Sequence, residues 1–181
     1  MLKLTKPLQH ELLKNFKHYS KIIEDENNLD FTESQRYLFY HILKNLSKNK
    51  KFDLTNKTII ITGSAGLLGS EYALGLSEAG ANVVLADLNI EKSKKLENTI
   101  KKKYNTTPLS IKVDVTNPKS IQNLIKKTLK KFKKIDVLVN NAILSEHGKF
   151  KKIKFENYPL SLWNQVIDVN LTGTFLCCQE I

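Results

Sequence analysis

The residues best placed to do chemistry are the glycines of the segment TGSAGLLG, which follows a β-branched run and opens a helical pattern. This order is typical of a loop that binds the phosphates of a dinucleotide. Gly63 would permit a tight turn, Gly66 would let the backbone approach a pyrophosphate, and Gly69 would let helix and strand pack closely. The alternative is a glycine-rich turn without a ligand. The predicted contacts of this loop are Thr62, Gly63, Ser64, Gly66, Leu67, Leu68 and Gly69.

An acidic residue stands where a dinucleotide site needs one. Asp87 ends the second predicted strand, 18 residues after Gly69, where a carboxylate accepts hydrogen bonds from the adenosine ribose hydroxyls. A carboxylate there repels the 2′-phosphate of NADP, so NAD is favoured as the cofactor, although Lys92 and Lys94 lie nearby. Asp87 could instead cap the helix that begins at Ile90, and the two roles are compatible.

Alternating strand and helix patterns would position these residues. Short β-branched runs alternate with amphipathic segments from residue 52 onward, which is typical of a parallel sheet built from βαβ units. We therefore predict an α/β, Rossmann-type, doubly wound sheet over 52–181. The predicted strands are 58–61, 82–86, 109–113 and 135–139, and the predicted helices are 66–79, 90–104 and 118–131. A loop over 140–160 should lead to a last helix capped by Ser161.

Residues 1–51 predict a separate helical extension. Apolar side chains recur at three- and four-residue steps over 7–50, with a polar run at 25–28 between two amphipathic helices. No catalytic signature lies in this region. Its predicted role is packing against the main domain or a partner chain.

The composition indicates a folded protein of the cytoplasm. Hydrophobic residues make up 41% and charged residues 26% of the chain, as in ordinary globular proteins. No apolar run is long enough for a signal peptide or a membrane span, so no membrane partner is expected. Cys177 and Cys178 are adjacent and poorly placed for a disulfide, which fits a reducing compartment. No metal site is predicted.

The net charge of +11 could indicate a nucleic-acid partner. Arg36 is the only arginine, however, and lysine lacks the planar fork that reads phosphates and bases. The lysines bracket apolar positions, as in 101–103 and 130–134, which favours solvated helix faces. We therefore expect no nucleic-acid partner.

Four motifs in the same order make residues 52–181 resemble the short-chain dehydrogenase/reductase family. The glycine motif and Asp87 are followed by Asp114-Val115, by the segment Asn140-Asn141-Ala142, and by Asn170 in the segment VNLTG. The resemblance implies an oxidoreductase that transfers a hydride between a nicotinamide cofactor and a carbonyl or alcohol substrate. It also implies a homo-oligomer for the full-length protein.

The resemblance implies roles for the later motifs. Asp114 would bind the adenine amino group and Val115 would offer its backbone N–H, while Asn140 would brace the sheet. Asn141 and Ala142 would line the nicotinamide-side ribose. Asn170 would hold a water of the proton relay. The alternatives are that Asp114 only caps the turn after it, and that Asn170 is a helix residue satisfied by backbone.

Two departures and one absence qualify the resemblance. The TGxxGxxG spacing also suggests a sugar-nucleotide epimerase or dehydratase, against which Asn170 and the Asn-Asn-Ala motif argue, and Ile143 replaces the family's usual glycine. No tyrosine and lysine at YxxxK spacing follow Asn170, and the pair Tyr40 and Lys44 precedes the first strand. We therefore expect a truncated chain with an incomplete sheet that is inactive by itself. A non-catalytic nucleotide-binding module is the other interpretation.

Overall fold

The computed structural model describes residues 52–144 and 153–181. The predicted N-terminal helices and the pair Tyr40 and Lys44 lie outside these residues. The strands are β1 (Thr58–Thr62), β2 (Asn82–Asp87), β3 (Leu109–Lys112) and β4 (Val137–Val139). The helices are α1 (Leu67–Glu78), α2 (Ile90–Lys103), α3 (Pro118–Phe132), α4 (Leu160–Ile167) and α5 (Gly173–Glu180). A 3₁₀ turn occupies Phe155–Asn157, and a π-helical turn over Asp168–Thr172 joins α4 to α5.

The described residues form one parallel sheet in the order β3-β2-β1-β4. Ile60 of β1 lies opposite Val84 of β2 and Leu138 of β4. All five residues of β1 are buried, as expected for a central strand covered on both faces. Because β4 returns to the other side of β1, the order reverses between these two strands. Such a reversal opens a crevice at the carboxyl ends of the strands, where α/β proteins bind ligands.

Helices cover both faces of the sheet, which confirms the doubly wound α/β fold. Alternate residues of β1 point to opposite faces. Ile59 and Ile61 pack with Ile100 of α2 and with residues of α1, whereas Ile60 packs with Leu124 of α3 and Cys177 of α5.

The fourth strand is shorter than predicted. It begins at Val137 because Asp136 pairs with β1 partly through its side chain: the carboxylate accepts the Thr58 N–H at 2.8 Å, and the Asp136 N–H donates to Thr58 O at 2.9 Å. These backbone contacts, together with Lys134 and Lys57, hold the pKa of Asp136 below its ordinary value. The aspartate thus fixes the amino end of β4.

The last helix differs from the prediction at its start and its middle. Pro159 is the residue before α4, and Ser161 lies inside the first turn, so the predicted Ser161 cap is wrong. The π-helical turn inserts one extra residue per turn, which the apolar spacing of the sequence does not reveal.

Neither a membrane-spanning helix nor a cluster of metal ligands occurs in the described ranges. No helix in residues 52–144 and 153–181 is long and apolar enough to cross a membrane. The same residues contain no group of three or more His, Cys, Asp or Glu side chains that could hold a metal ion.

Candidate functional site

The glycine-rich loop is tied to the carboxyl end of β4. Thr62 Oγ1 accepts the backbone N–H groups of Asn141 and Ala142, both at 3.0 Å, and donates to Val139 O at 3.3 Å. The Asn141 side-chain amide donates to the carbonyls of Thr62 and Gly63, both at 3.0 Å. The two strand ends therefore form one hydrogen-bonded unit.

The bracing role expected for Asn140 belongs to Asn141 instead. Asn140 is exposed, and its amide donates to Cys178 Sγ of α5 at 3.2 Å. Both residues lie just beyond the end of β4, where the Asn140 side chain contacts α5 and the Asn141 side chain contacts the glycine-rich loop. A role for Asn141 and Ala142 beside a ribose remains a prediction.

Each glycine of the loop meets a different steric constraint. Gly63 has φ +64°, and a Cβ there would lie 2.8 Å from Ala142 Cα. A Cβ at Gly69 would collide with Gly63 O and lie 2.8 Å from Ser64 Cα. A Cβ at Gly66 would meet only Gly63 O, at 3.1 Å. Gly63 and Gly69 are therefore required by packing within the protein, whereas Gly66 has an open side.

The start of α1 offers unsatisfied N–H groups beside that open side. Ser70 donates the first hydrogen bond of the helix, to Gly66 O at 3.0 Å. Gly66 is the cap and has no side chain to accept the N–H groups of the first turn. Leu67 and Gly66 are exposed. This arrangement suits an anion, because free N–H groups and the helix dipole both favour negative charge.

Two predicted contact residues of the loop are not accessible. The Thr62 side chain is 1% exposed and Ser64 is 0% exposed. The Thr62 hydroxyl is hydrogen-bonded to the backbone at the end of β4. The Ser64 N–H donates to Ala86 O at 3.4 Å. Both side chains therefore shape the loop from within the protein, and a cofactor contact through either residue stays a prediction.

Asp87 holds the loop from the neighbouring strand. Its Oδ2 accepts the Ala65 N–H and its Oδ1 accepts the Asn89 N–H, both at 2.8 Å. Asn89, not Asp87, caps α2 by accepting the Lys92 N–H at 3.0 Å, so the capping alternative for Asp87 is wrong. Each carboxylate oxygen keeps a further lone pair, so the group can still accept from a ligand hydroxyl.

Asp114 follows β3 and forms the turn that its alternative interpretation expected. Its Oδ1 accepts both the N–H and the hydroxyl of Thr116, at 2.9 and 2.7 Å. No hydrogen bond between described residues uses Oδ2, so one oxygen remains for a ligand. Val115 is 8% exposed and packs against α5, where a Cβ at Gly173 would lie 2.8 Å from its Cγ2. Gly173 therefore lets the last helix approach the loop after β3.

Asn170 lies in the π-helical turn and reaches the segment after β4. Its Oδ1 accepts the Leu144 N–H at 2.7 Å, and its Nδ2 donates to Leu144 O at 3.2 Å. The Asn170 carbonyl accepts the Thr174 hydroxyl at 2.9 Å. The side chain is thus satisfied by backbone, as its alternative interpretation expected.

The predicted site residues line up along one edge of the sheet. From β3 to β4 the order is Asp114, Asp87, the glycine-rich loop and Asn141, with Asn170 joined through Leu144. Two exposed apolar residues also lie at this edge, Leu88 at 63% and Ile143 at 68% exposure, and neither was predicted as a site residue. Their positions directly after Asp87 and Ala142 were the available signal, since exposed apolar side chains beside polar ones are typical of ligand sites.

Comparison with known proteins places this arrangement in a family. The family model described as "short chain dehydrogenase" matches residues 57–181. The chain is 36% identical to the short chain dehydrogenase/reductase dpmpG of Macrophomina phaseolina, over 72% of each protein. It is 34% identical to the (2S)-[(R)-hydroxy(phenyl)methyl]succinyl-CoA dehydrogenase subunit BbsD of Thauera aromatica, over 71% of this chain and 49% of that protein.

Solved structures give the same result. NAD⁺-bound xylitol dehydrogenase matches with a TM-score of 0.65 and 30% identity, over 71% of this chain and 47% of that one. The hydroxysteroid dehydrogenase of Escherichia coli matches with a TM-score of 0.64 and 26% identity, over 73% and 53%. The chain spans about half the length of these two structures and of the Thauera protein. The family match, the identities and the sheet order together show that this chain belongs to the short-chain dehydrogenase/reductase family of oxidoreductases.

Proposed function

We propose that this chain binds NAD along the carboxyl edge of its sheet, as the cofactor half of an oxidoreductase for a carbonyl/alcohol pair. The observation that carries the proposal is the open side of Gly66 beside the unsatisfied first turn of α1. The matching xylitol dehydrogenase is described as NAD⁺-bound, which supports the cofactor class.

The order of side chains along the edge supports one orientation of the dinucleotide. The adenine would lie at β3 beside Asp114 Oδ2, and its ribose beside Asp87. The pyrophosphate would lie over Gly66 and the N–H groups of Leu67 and Leu68. The nicotinamide half would then lie toward Ala142 at β4. Leu88, exposed next to Asp87, could cover an adenine face.

The charge of Asp87 supports NAD over NADP. A 2′-phosphate would lie against a carboxylate already fixed by two backbone N–H groups. Two unit charges 4 Å apart interact by about 1 kcal/mol in water and by about 4 kcal/mol at an effective dielectric near 20, and a 2′-phosphate carries about 1.5 to 2 negative charges at pH 7. We therefore expect NADH to bind at least about tenfold more tightly than NADPH.

Asn170 would act through its backbone rather than its amide. Both polar atoms of the side chain bind Leu144, so a relay water would bind the Asn170 carbonyl, which lies in the π-helical turn and accepts the Thr174 hydroxyl. The nicotinamide, when bound, would exchange the hydride. The Asn170 side chain would hold the segment after β4 in place, and the carbonyl would hold the water.

These 181 residues contain no tyrosine and lysine at YxxxK spacing after Asn170. Positioned acid–base catalysis is typically worth about 10² to 10⁴ in rate. We therefore propose that a polypeptide of these residues binds the cofactor without detectable turnover. We propose a cytoplasmic location, which suits the two free cysteines, and a homo-oligomeric full-length protein.

Calorimetric titration of NADH and NADPH tests the cofactor proposal. Asp87→Asn is the informative variant, because it removes the charge and keeps an oxygen for one of the two backbone N–H groups. The ratio of the two dissociation constants should fall from at least about tenfold to about threefold or less, as the repulsion is lost. Asp136→Asn is the matched control, since it makes the same charge change at the opposite edge and should leave the ratio unaltered. Equal or stronger NADPH binding to the unaltered chain would contradict the assignment of NAD.

A further inference from the structure

One segment of the chain carries a net charge as large as that of the whole protein. Residues 90–134 contain fourteen lysines and three acidic residues, a formal net charge of +11. That value equals the net charge of the whole chain, so the remaining residues are neutral in sum. Randomly scattered surface lysines would not give such a division.

The fold gathers this charge on one side of the molecule. Residues 90–134 form α2, β3 and α3, where β3 is the edge strand of the sheet and the two helices pack on its opposite faces. The segment after α2 lies at the amino ends of the strands, which we call the amino edge of the sheet. The Thr107 N–H there donates to the side chain of Asn82, the first residue of β2. The end of α3 lies there too, because Lys131 Nζ donates to Pro108 O at 3.0 Å.

The last turns of α2 and α3 therefore meet around the start of β3. We call the surface they form the basic edge; its residues are Lys101, Lys102, Lys103, Lys130, Lys131, Lys133 and Lys134. Burial lowers the pKa of Lys131. The negative charge of Glu97 acts against this lowering, and the positive charge of Lys101 lowers the pKa further. The two groups of lysines are thus close enough to interact across β3.

The acidic groups around the basic edge are already engaged. Glu97 forms an ion pair with Lys101 and accepts the Ser110 N–H at 2.8 Å. Asp136 pairs with Lys57 and Lys134. Four exposed lysines make no side-chain hydrogen bond or ion pair with a residue of the described ranges. They are Lys102, Lys130, Lys133 and, one turn before the end of α3, Lys127. Among the residues of the described ranges, positive charge is left without a counter-charge on this side.

We propose that the basic edge docks on the surface of an anionic lipid membrane. The cluster exceeds the four to eight basic residues typical of surface-bound segments once Lys126 and Lys127 are included. Leu129 is 40% exposed within the lysine-rich turns of α3, and an apolar side chain among lysines suits the boundary between headgroups and acyl chains. Docking by charge needs no spanning helix, so it is compatible with the absence of one among the described helices.

Lipid fits these lysines better than nucleic acid or an acidic polypeptide. Segment 90–134 contains no arginine for bidentate phosphate contacts. Its aromatic residues, Tyr104 and Phe132, are half-buried and offer no exposed ring for base stacking. The lysines lie at the ends of two helices, on either side of the start of β3. Lipid headgroups can rearrange individually beneath irregularly spaced lysine ammonium groups. The charges of a nucleic acid or an acidic polypeptide are linked along one backbone and cannot rearrange in this way.

Docking by the basic edge would leave the nucleotide site facing away from the lipid. The glycine-rich loop and Asp87 lie at the carboxyl ends of the strands, opposite the basic edge. This inference is therefore independent of the proposed cofactor, and the two can fail separately.

Vesicle co-sedimentation of the full chain tests the proposal. The probe is 100 nm vesicles of phosphatidylcholine with and without about 30% phosphatidylserine, at low and high potassium chloride. The test variant changes three lysines of the basic edge and Lys127 one turn before it: Lys102→Gln, Lys127→Gln, Lys130→Gln, Lys133→Gln. The control, of equal net charge, is Lys149→Gln, Lys151→Gln, Lys152→Gln, Lys154→Gln. We expect salt-sensitive binding to the anionic vesicles that weakens at least about tenfold in the first variant and less than about threefold in the second.

The outcomes separate the proposal from its rivals. Circular dichroism and NADH affinity should be unchanged in both variants, so a loss of vesicle binding cannot come from unfolding. Equal weakening in both variants would show that net charge alone acts and would overturn the basic edge as a docking surface. Absence of binding to anionic vesicles, or tighter binding to an RNA duplex or to polyglutamate at the same salt, would overturn a lipid partner.

Discussion

Replacing Gly63 by alanine should destabilise the fold, and the structure gives the size of the effect. Its φ of +64° costs an L-residue roughly 1–2 kcal/mol. The new Cβ would lie 2.8 Å from Ala142 Cα, and Ala142 cannot retreat without losing its hydrogen bond to Thr62. Overpacking of this kind typically costs about 1–3 kcal/mol. The free energy of unfolding should therefore fall by roughly 2–5 kcal/mol.

The matched control is Gly66→Ala in the same loop. Gly66 has φ −77°, which alanine adopts freely, and its Cβ would meet only Gly63 O at 3.1 Å. Its unfolding free energy should change by less than about 1 kcal/mol, while NADH affinity falls because the Cβ occupies the side open to a pyrophosphate. Urea unfolding followed by circular dichroism measures both variants. A loss below about 1 kcal/mol for Gly63→Ala, or equal losses in both, would refute the assignment of packing to one glycine and binding to the other.

Three further predictions concern thiols, pH and turnover. A maleimide at neutral pH should label exposed Cys178 and spare Cys177, because burial and the neighbouring Cys178 raise the pKa of Cys177 to about 11; mass spectrometry showing modified Cys177 in the folded chain would contradict this. The folded-state pKa of Asp136 lies below its ordinary value of 3.8. The ionised carboxylate therefore stabilises the fold above pH 3.8, and this stabilisation is lost as the pH falls through the folded-state pKa. Asp136→Asn should thus lower the thermal midpoint at pH 7, with a difference that shrinks toward pH 3; a pH-independent difference would reject the carboxylate as its cause. The purified chain should consume no NADH with a panel of ketones and keto-sugars. Turnover that is lost in Tyr40→Phe would show that Tyr40 takes part in catalysis, contrary to our interpretation of Tyr40 and Lys44.

The sequence predicted the parallel sheet and the placement of the glycine-rich loop because both depend on local patterns. β-Branched runs and the spacing of Gly63, Gly66 and Gly69 are properties of adjacent residues, and all four strands occur where expected. The family resemblance was confirmed by the match over residues 57–181.

The sequence could not predict which polar group satisfies which partner. Asn140 and Asn141 are chemically identical, and only the pairing of β4 with β1 decides which one braces the loop. The burial of Ser64 and the π-helical turn at Asn170 likewise depend on contacts between distant segments. Helix caps were also ambiguous, because Asp87 and Asn89 are both good candidates and the position of the first turn of α2 decides between them.

The most direct test of the cofactor site is a ¹H–¹⁵N correlation spectrum of the labelled chain titrated with NADH. We expect saturable shifts of backbone amides along the carboxyl edge, strongest in the loop from Gly63 to Leu68 and extending to Leu88, Val115 and Ala142. Amides at the amino edge, such as those of Lys102 and Lys133, should remain unmoved. Shifts confined to that amino edge, or no saturable shift at all, would contradict a dinucleotide site built on the glycine-rich loop.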